Sequence, residues 1–319
     1  MMLARVADSL YWMSRYIERA EHTSRMIAVK LESMVEQTPE DAAASWTRVV
    51  AALAGEPLDL DSGDAFQTVQ ALTFDRHNPS SLASSLRFAR DNARQVREEL
   101  STEVWENLNR LYLRIQSVTI DDIWVHNPAR FFRDILDTLY LLDGMIDTTL
   151  RHGEGWHFLE LGRFIERAQL VSRLLDIHFG VAAPGYVVMP PQPKYLDWIV
   201  LLKFCTAFEP YCKVHTAAIA PERIAQFLLF DAGFPHSVRY AVDRMRDALA
   251  RVAPGAPPAR RALCERLSGR LKAAVDFGQI DDMTSDAIDA FLVDIVKQCE
   301  QIHDAVYAAY IGYDAEAVL

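Results

Sequence analysis

The sequence has little of what loop-based catalysis requires. Only 13 of its 319 residues are glycine, and it contains neither of the phosphate-binding patterns GxxxxGK(S/T) and GxGxxG. The GxSxG pattern of serine hydrolases and the HExxH pattern of zinc proteases are absent as well. We therefore expect any nucleotide activation to come from a partner and not from this chain.

Cysteines are few and are not arranged for metal binding. The four, Cys205, Cys212, Cys264 and Cys299, form no CxxC pattern and have no histidine at metal-ligand spacing. No metal and no cofactor are predicted, and the pattern is typical of a reducing compartment. The first residues lack a signal sequence, and no stretch approaches the roughly 20 apolar residues of a membrane span. The sequence predicts a cytoplasmic protein without membrane contact.

The charge balance is acidic, with a formal net charge of −11 and a pI of about 5.3. Such a balance disfavours nucleic acid as a partner and leaves room only for a local basic pocket. Half of the residues are hydrophobic and about a quarter are charged, which is an ordinary composition for a soluble protein. The length suffices for two modest domains or one large one.

Few segments alternate with the period of two that strands require, so an all-α fold is predicted with almost no strand. Proline, glycine and N-cap residues divide the chain into helices. The predicted helices cover about 3–37, 40–54, 66–72, 78–100, 102–116, 127–153, 156–180, 195–208, 221–230, 237–252, 258–277 and 285–310. A proline-rich crossover is predicted at about 181–194.

One segment occurs twice. Residues 14–25 read SRYIERAEHTSR and residues 162–173 read GRFIERAQLVSR, which are identical at seven of twelve positions. A second match pairs Phe74-Asp75, Pro79 and Ser81 with Phe230-Asp231, Pro235 and Ser237. The sequence therefore predicts an internally duplicated helical bundle of two pseudo-symmetric halves, 1–152 and 153–319, with the two ERA helices near the centre.

A helical wheel gives each ERA helix an apolar seam and an opposite charged face. The seams consist of Met13, Ile17, Ala20, Ser24, Ile27 and Leu31, and of Leu161, Ile165, Ala168, Ser172, Leu175 and Phe179. Apolar residues also interrupt the charged face, so both sides are expected to be buried and the charges to need partners. If the halves pack about a two-fold axis, Glu18 faces Arg167 or Arg163, and Glu166 faces Arg19 or Arg15.

The two ERA segments, with Asp91-Asn92-Ala93-Arg94 and Trp105-Glu106-Asn107-Leu108-Asn109, resemble the bacterial alpha-E family. This is an all-helical family of unknown function named for its ER motif. Its members are typically encoded beside, or fused to, a circularly permuted ATP-grasp protein, and often near a transglutaminase-like one. The resemblance implies these two partners and a role in peptide or amide ligation, without supplying a catalytic mechanism.

Three interpretations of the ERA charges stay open: an interior salt-bridge lattice, an arginine-lined pocket for a carboxylate or phosphate, and a general base at Glu18 or Glu166. A carboxylate beside several arginines should have a lowered pKa and be a poor base. The candidate ligand-binding residues are Arg15, Glu18, Arg19, His22, Arg25, Arg163, Glu166, Arg167 and Arg173.

His22 distinguishes the two copies, because Leu170 stands at the matching position. Glu18 and His22 have the i, i+4 spacing of helical metal ligands, but a hydrogen-bonded histidine in the core or in a cleft is the favoured interpretation. The sequence thus predicts an accessory or binding subunit of an ATP-grasp-dependent ligation system. The alternatives are an acyl- or amide-transfer enzyme that uses Glu18 and His22, and a purely structural or oligomerisation module.

Overall fold

A computed structural model of the protein describes residues 2–34, 38–53, 64–179, 193–216, 218–252, 256–280, 283 and 285–312. Regular structure in these ranges is entirely helical, so the all-α prediction is confirmed. The helices are α1 (Ala4–Ser33), α2 (Pro39–Leu53), α3 (Ala65–Phe74), α4 (Leu82–Gln95), α5 (Thr102–Gln116), α6 (Ile120–Val125), α7 (Pro128–Thr149), α8 (Glu154–Phe179), α9 (Tyr195–Phe204), α10 (Phe208–His215), α11 (Pro221–Phe230), α12 (Val238–Arg251), α13 (Pro258–Phe277) and α14 (Ser285–Val306). None of these described helices is long and apolar enough to cross a lipid bilayer.

Several boundaries differ from the prediction for local reasons. α4 begins at Leu82 and not at residue 78, because Ser81 is its N-cap and accepts a hydrogen bond from the Ser84 amide. The predicted helix at 195–208 is two helices, since Thr206 has a φ of 52° and interrupts the chain between α9 and α10. The predicted end of α1 near residue 37 lies outside the described residues, as does nearly all of the crossover at 181–194.

The short helix α6 was not predicted. Its N-terminus is a capping box in which the Thr119 side chain accepts from the Asp122 amide, while the Asp122 carboxylate accepts from the Thr119 amide. This signal can be seen in the sequence as Thr-x-x-Asp before an isoleucine and a tryptophan. With only one and a half turns, the helix depends on that cap and on packing rather than on its own propensity.

The two ERA helices, α1 and α8, lie at the centre of the described structure. α1 packs most extensively against α8, α4 and α7, while α8 packs against α1, α12 and α14. The predicted seams are buried, with Ile17, Ala20 and Ile27 on α1 and Ile165 and Ala168 on α8 at 2% exposure or less. Each ERA helix is therefore covered on several sides, as the apolar residues within its charged face predicted.

α1 and α8 approach each other closely at Gly162. A β-carbon placed on Gly162 would lie 2.3 Å from the Tyr11 carbonyl oxygen and 2.3 Å from Ser14 Oγ. Real side-chain carbons do not approach backbone atoms so closely, so the two helices can keep this distance only with glycine here. Ser14 and Gly162 occupy the same position in the two repeated segments.

The two loops that carry the second repeat have the same hydrogen bonds. The Ser81 hydroxyl donates to the Asp75 carbonyl, and the Ser237 hydroxyl donates to the Asp231 carbonyl. Each aspartate accepts a backbone N–H two residues later with its Oδ1 atom, at 2.8 Å in both loops. Each serine then caps the following helix, α4 or α12. Two copies of one sequence pattern thus form two copies of one turn and cap.

We expect Gly162→Ala to destabilise the protein by about 1–3 kcal/mol, because the added methyl group must push α1 and α8 apart. The matched control is Gly269→Ala in α13, where an added β-carbon meets nothing within 4 Å. That control should raise stability by about 0.5–1 kcal/mol, since alanine restricts the unfolded chain. Urea unfolding of the three proteins measures both effects. A Gly162→Ala variant as stable as the control would disprove the close crossing.

Candidate functional site

The first ion pair between the ERA helices joins Glu18 of α1 to Arg167 of α8. Arg167 donates from Nε to Glu18 Oε1 at 2.6 Å and from Nη2 to Glu18 Oε2 at 2.7 Å, so the ion pair is bidentate. The side chains are 2% and 9% exposed. A third Arg167 nitrogen donates to the Pro235 carbonyl oxygen at 3.3 Å, which ties the loop before α12 to this pair.

The second ion pair runs in the opposite direction, from Glu166 of α8 to two arginines of α1. Arg15 Nε donates to Glu166 Oε2 at 2.7 Å, and Arg19 lies 2.7 Å from Glu166 Oε1. Arg15 also donates to the side-chain oxygen of Gln169 at 3.0 Å. The predicted pairings of Glu18 with Arg167 and of Glu166 with Arg19 and Arg15 are confirmed, whereas Arg163 has a different partner.

The remaining arginines of the two motifs find acids elsewhere. Arg163 donates to Asp143 of α7 at 2.5 Å and lies 3.6 Å from Glu160. Arg25 donates to Glu21 at 2.5 Å and to the Phe204 carbonyl oxygen at 2.6 Å. The excess of guanidinium groups in the motifs is thus balanced within the protein and does not require an anionic ligand.

We call this set of side chains the ER lattice. It contains five arginines, Arg15, Arg19, Arg25, Arg163 and Arg167, and five acids, Glu18, Glu21, Asp143, Glu160 and Glu166. Most of these side chains are buried, with Arg19 and Arg163 the most accessible of the arginines at 20% and 16% exposure. Buried charges in such numbers are tolerated only because each has a partner at hydrogen-bond distance.

The two carboxylates of the ER motif have different proton affinities. Burial works to raise the pKa of Glu166, but the charges of Arg19 and Arg15 and their hydrogen bonds outweigh it and lower this pKa to about 2. Burial raises the pKa of Glu18, because it outweighs the opposing charges of Arg167 and Arg163 and the neighbouring Glu21 carboxylate adds to the rise. The predicted lowering is therefore right for Glu166 and wrong for Glu18.

Asp143 is a lattice member that has no counterpart in the repeat. Burial raises its pKa to about 7 against the charge of Arg163, and the carboxylates of Glu21 and Glu18 add to the rise. The sequence contained Asp143 only as one of two aspartates four residues apart on a helix, with Asp147 as the other. Its role depends on how α7 packs against α1, which the sequence pattern did not specify.

Arg173 does not belong to the lattice, although its position in the repeat matches that of Arg25. It lies 3.5 Å from Glu300 of α14, and the two side chains are 45% and 55% exposed. The structure therefore does not bring Arg173 together with the other eight candidate residues. The two arginines have different surroundings. Arg25 donates to the carbonyl oxygen of Phe204 at the C-terminal end of α9, whereas Arg173 lies at the surface beside α14.

His22 is buried at 2% exposure, and its Nε2 atom has no hydrogen-bond partner among the described residues. Burial lowers its pKa to about 3, and the nearby Arg25 charge contributes. Glu18 and Glu21, the nearest acids on the same helix, are bound to Arg167 and Arg25. No group of three His, Cys, Asp or Glu in the described parts of the chain could hold a metal ion. His22 is thus a neutral core histidine that lacks the predicted hydrogen bond at Nε2.

The lattice reaches the protein surface through Glu160. This residue is 5% exposed, lies one turn before Arg163, and accepts a hydrogen bond from Arg244 of α12 at 2.8 Å. Glu160 and Arg244 line a cleft of about 370 Å³ between the first turns of α8 and the last turns of α12. Neither residue was singled out from the sequence, because nothing in the repeat marks position 160 or 244.

Two histidines and a tryptophan form the α8 side of the cleft. The His152 and Trp156 rings are stacked, with centroids 4.0 Å apart and planes inclined by 14°, and the His157 ring lies edge-on to Trp156 at 5.2 Å. His152 Nε2 is 2.8 Å from the Asp147 carbonyl oxygen near the end of α7, where it caps that helix. His157 is half-buried, and its Nδ1 atom is buried without a hydrogen-bond partner among the described residues.

A family model matches residues 2–311 of the chain. It is the model named Alpha-E, described as a predicted alpha-helical domain with a conserved ER motif. No solved structure matches the chain significantly.

Three curated relatives match the chain in sequence. An uncharacterized protein of Mycobacterium bovis and two of Mycobacterium tuberculosis are each 24% identical to this chain over 317 residues. The match covers 92% of this chain but only 35% of each relative. The chain therefore spans about a third of the length of the relatives it matches.

We expect Arg167→Ala to lower the free energy of unfolding by about 3–5 kcal/mol, because it leaves Glu18 buried without its partner. The matched control, Arg173→Ala, removes an exposed ion pair and should cost about 0–1 kcal/mol. Replacing both Glu18 and Arg167 by methionine should recover much of the loss, since apolar side chains need no partner. Urea unfolding at pH 7 measures all three. Equal costs for the two arginine variants would disprove the lattice.

We expect His22→Leu, which copies Leu170, to raise stability more at pH 5 than at pH 8. The unfolded histidine binds a proton near pH 6.5, whereas the native one does so only near pH 3. Between these values the unfolded state binds more protons, so His22 destabilises the native state increasingly as the pH falls below 6.5. Unfolding curves at both pH values test this, with exposed His77→Gln as the control. A gain that is the same at both pH values would contradict the burial of a neutral His22.

Proposed function

The chain belongs to the Alpha-E family, and we propose that it is an accessory module of an ATP-dependent peptide or amide ligation system. The proposed partner is a circularly permuted ATP-grasp protein, with a transglutaminase-like protein as a further candidate. In this proposal the chain supplies a rigid helical body that holds the partner or an anionic intermediate, and the partner supplies the nucleotide chemistry. The proposed location is the cytoplasm, in keeping with four free cysteines.

The observation that carries this proposal is the length of the relatives. The matched segment is 35% of each of them, so about two thirds of each relative lies outside the match. A module that recurs as part of a longer chain is one that works beside other domains. This supports an accessory role for the present chain, with its partner either in the same polypeptide or in a separate one.

The ER lattice supports a structural role for the motif within that module. Glu18 is held at both carboxylate oxygens by Arg167, and His22 is buried and neutral. Neither group reaches solvent, so the alternative of an acyl- or amide-transfer enzyme that uses Glu18 and His22 gains no support. An arginine pocket for an anion is also disfavoured among the lattice residues, because their guanidinium groups already have acid partners.

We further propose that residues 1–152 and 153–319 are two copies of one ancestral unit, related by an approximate two-fold axis. Support comes from Ser14 and Gly162, which match in the repeat and touch each other, as positions on such an axis must. The reciprocal pairs of Glu18 with Arg167 and of Glu166 with Arg19 fit the same symmetry. The halves share one interior, so they are proposed as repeats within one compact unit.

The experiment combines the chain with a circularly permuted ATP-grasp protein, the proposed partner. We expect sedimentation velocity to detect a stable complex, and ADP release by the ATP-grasp protein in the presence of amino acids to change when the chain is added. The chain alone should release no ADP and form no amide bond. The surface variant Arg173→Ala is expected to behave as the wild type, which controls for non-specific charge effects.

Two results would overturn the proposal. Product formation by the chain alone, lost in a His22→Ala variant that remains folded, would favour the enzyme alternative. Failure to associate with the ATP-grasp protein, combined with self-association of the chain in the same centrifuge run, would favour a purely structural or oligomerisation module. Both results can be measured on the samples that are used to test for the expected complex.

A further inference from the structure

The cleft between α8 and α12 has the size and composition of a small-molecule site. Its volume of about 370 Å³ falls within the range of roughly 300–1,000 Å³ that is typical of ligand pockets. It lies outside the interior of the ER lattice and shares only Glu160 with it. The inference concerns this cleft and does not depend on the partner proposed above.

The charges that line the cleft divide into an inner pair and an outer pair. The inner pair is Glu160 and Arg244, which are bound to each other at 2.8 Å. The outer pair is Asp247 and Arg251, one helical turn apart on α12 and both exposed. Neither outer side chain forms an ion pair with another described residue. The cleft therefore presents one unpaired anion and one unpaired cation to whatever enters it.

The balance of these charges restricts the ligand. Two arginines and two acids give the cleft no net formal charge, so a polyanion such as a nucleoside triphosphate would meet carboxylates as well as guanidinium groups. A ligand with one carboxylate and one ammonium group would match both outer charges. The ring of Trp156 offers a flat surface for the ammonium group or for an apolar side chain.

His157 adds a polar contact inside the cleft. Its Nδ1 atom is buried and has no hydrogen-bond partner among the described residues, so the ring meets the cleft through its remaining edge. Stacking of His152 on Trp156 fixes the neighbouring wall, so these groups are held in place before a ligand arrives. A carboxylate that enters between Arg251 and His157 could accept from both.

We propose that this cleft binds a zwitterionic amino acid or short peptide, with its carboxylate at Arg251 and His157 and its ammonium group at Asp247. The ligand class is that of a free amino acid or peptide terminus. The apolar part of such a ligand lies against Trp156 and the alanines of α12 that complete the lining. The site is distinct from the motif residues that define the repeat.

The test is a calorimetric titration of the full chain with four probes: L-phenylalanine, L-phenylalaninamide, N-acetyl-L-phenylalanine and ATP. We expect L-phenylalanine to bind in a saturable way, and the amide and the N-acetyl derivative to bind at least tenfold more weakly. Arg251→Gln should weaken L-phenylalanine binding at least tenfold without further weakening the amide. Asp247→Asn should weaken L-phenylalanine binding without further weakening the N-acetyl derivative.

The control variant is Arg246→Gln, which changes an arginine of the same helix that does not line the cleft. It should leave the affinity unchanged. Proton NMR of His157 provides a second readout, because burial and the Arg251 charge lower its pKa and a bound carboxylate should raise it.

Preferential binding of ATP, equal binding of all four probes, an equal effect of Arg246→Gln, or no saturable binding of L-phenylalanine would overturn the inference. These results leave the accessory role untouched, since that role is tested with the ATP-grasp protein and without these variants. Conversely, if the chain binds L-phenylalanine but forms no complex with the ATP-grasp protein, only the accessory role is contradicted.

Discussion

The structure depends on a close crossing of α1 and α8. Each helix carries both arginine and glutamate side chains, and these pair across the crossing in the buried interior. At Gly162 the backbones of α1 and α8 come near enough to exclude a methyl group, and the side chains of Glu18 and Arg167 meet beside this point. Taking these ions out of water costs several kcal/mol each, and only well-formed partner bonds offset that cost. The same requirement fixes the register of the helices, because a shift of one residue would leave charges unpaired.

The repeat made part of this arrangement predictable. Identical ERA segments imply equivalent surroundings, so the reciprocal pairing of Glu18 and Glu166 with arginines of the other helix followed from the sequence, as did most helices. The partners at the edge of the lattice could not be predicted from the sequence. Asp143 binds Arg163, and Arg244 binds Glu160, only because α7 and α12 pack at a particular height along α1 and α8, and helical periodicity specifies a face without specifying that height. The break before α10 likewise depends on the backbone conformation of one threonine.

The two sides of the lattice differ where the two repeated segments differ in sequence. Glu21 stands where the second segment has Gln169, so the neighbourhood of Glu18 carries an additional acid and that of Glu166 does not. Two arginines bind Glu166 and lower its pKa to about 2, whereas Glu18 shares its surroundings with Glu21 and Asp143. Burial raises the pKa of both Glu18 and Asp143 on this side, that of Asp143 to about 7. One motif thus yields two electrostatic environments through a single substitution and one neighbouring helix.

The lattice also determines what the surface can do. A run of bonds leads from Asp143 through Arg163 to Glu160 and then to Arg244, so the inner wall of the cleft is anchored to the centre of the protein. Side chains fixed in this way lose little conformational entropy when a ligand binds, so less of the binding free energy is spent on ordering them. The outer charges, Asp247 and Arg251, lie on the same helix beyond the last lattice bond, where solvent can reach them. Buried charges satisfied by one another give the module its rigidity, and the charges left at the edge of the cleft are the ones available to an outside molecule.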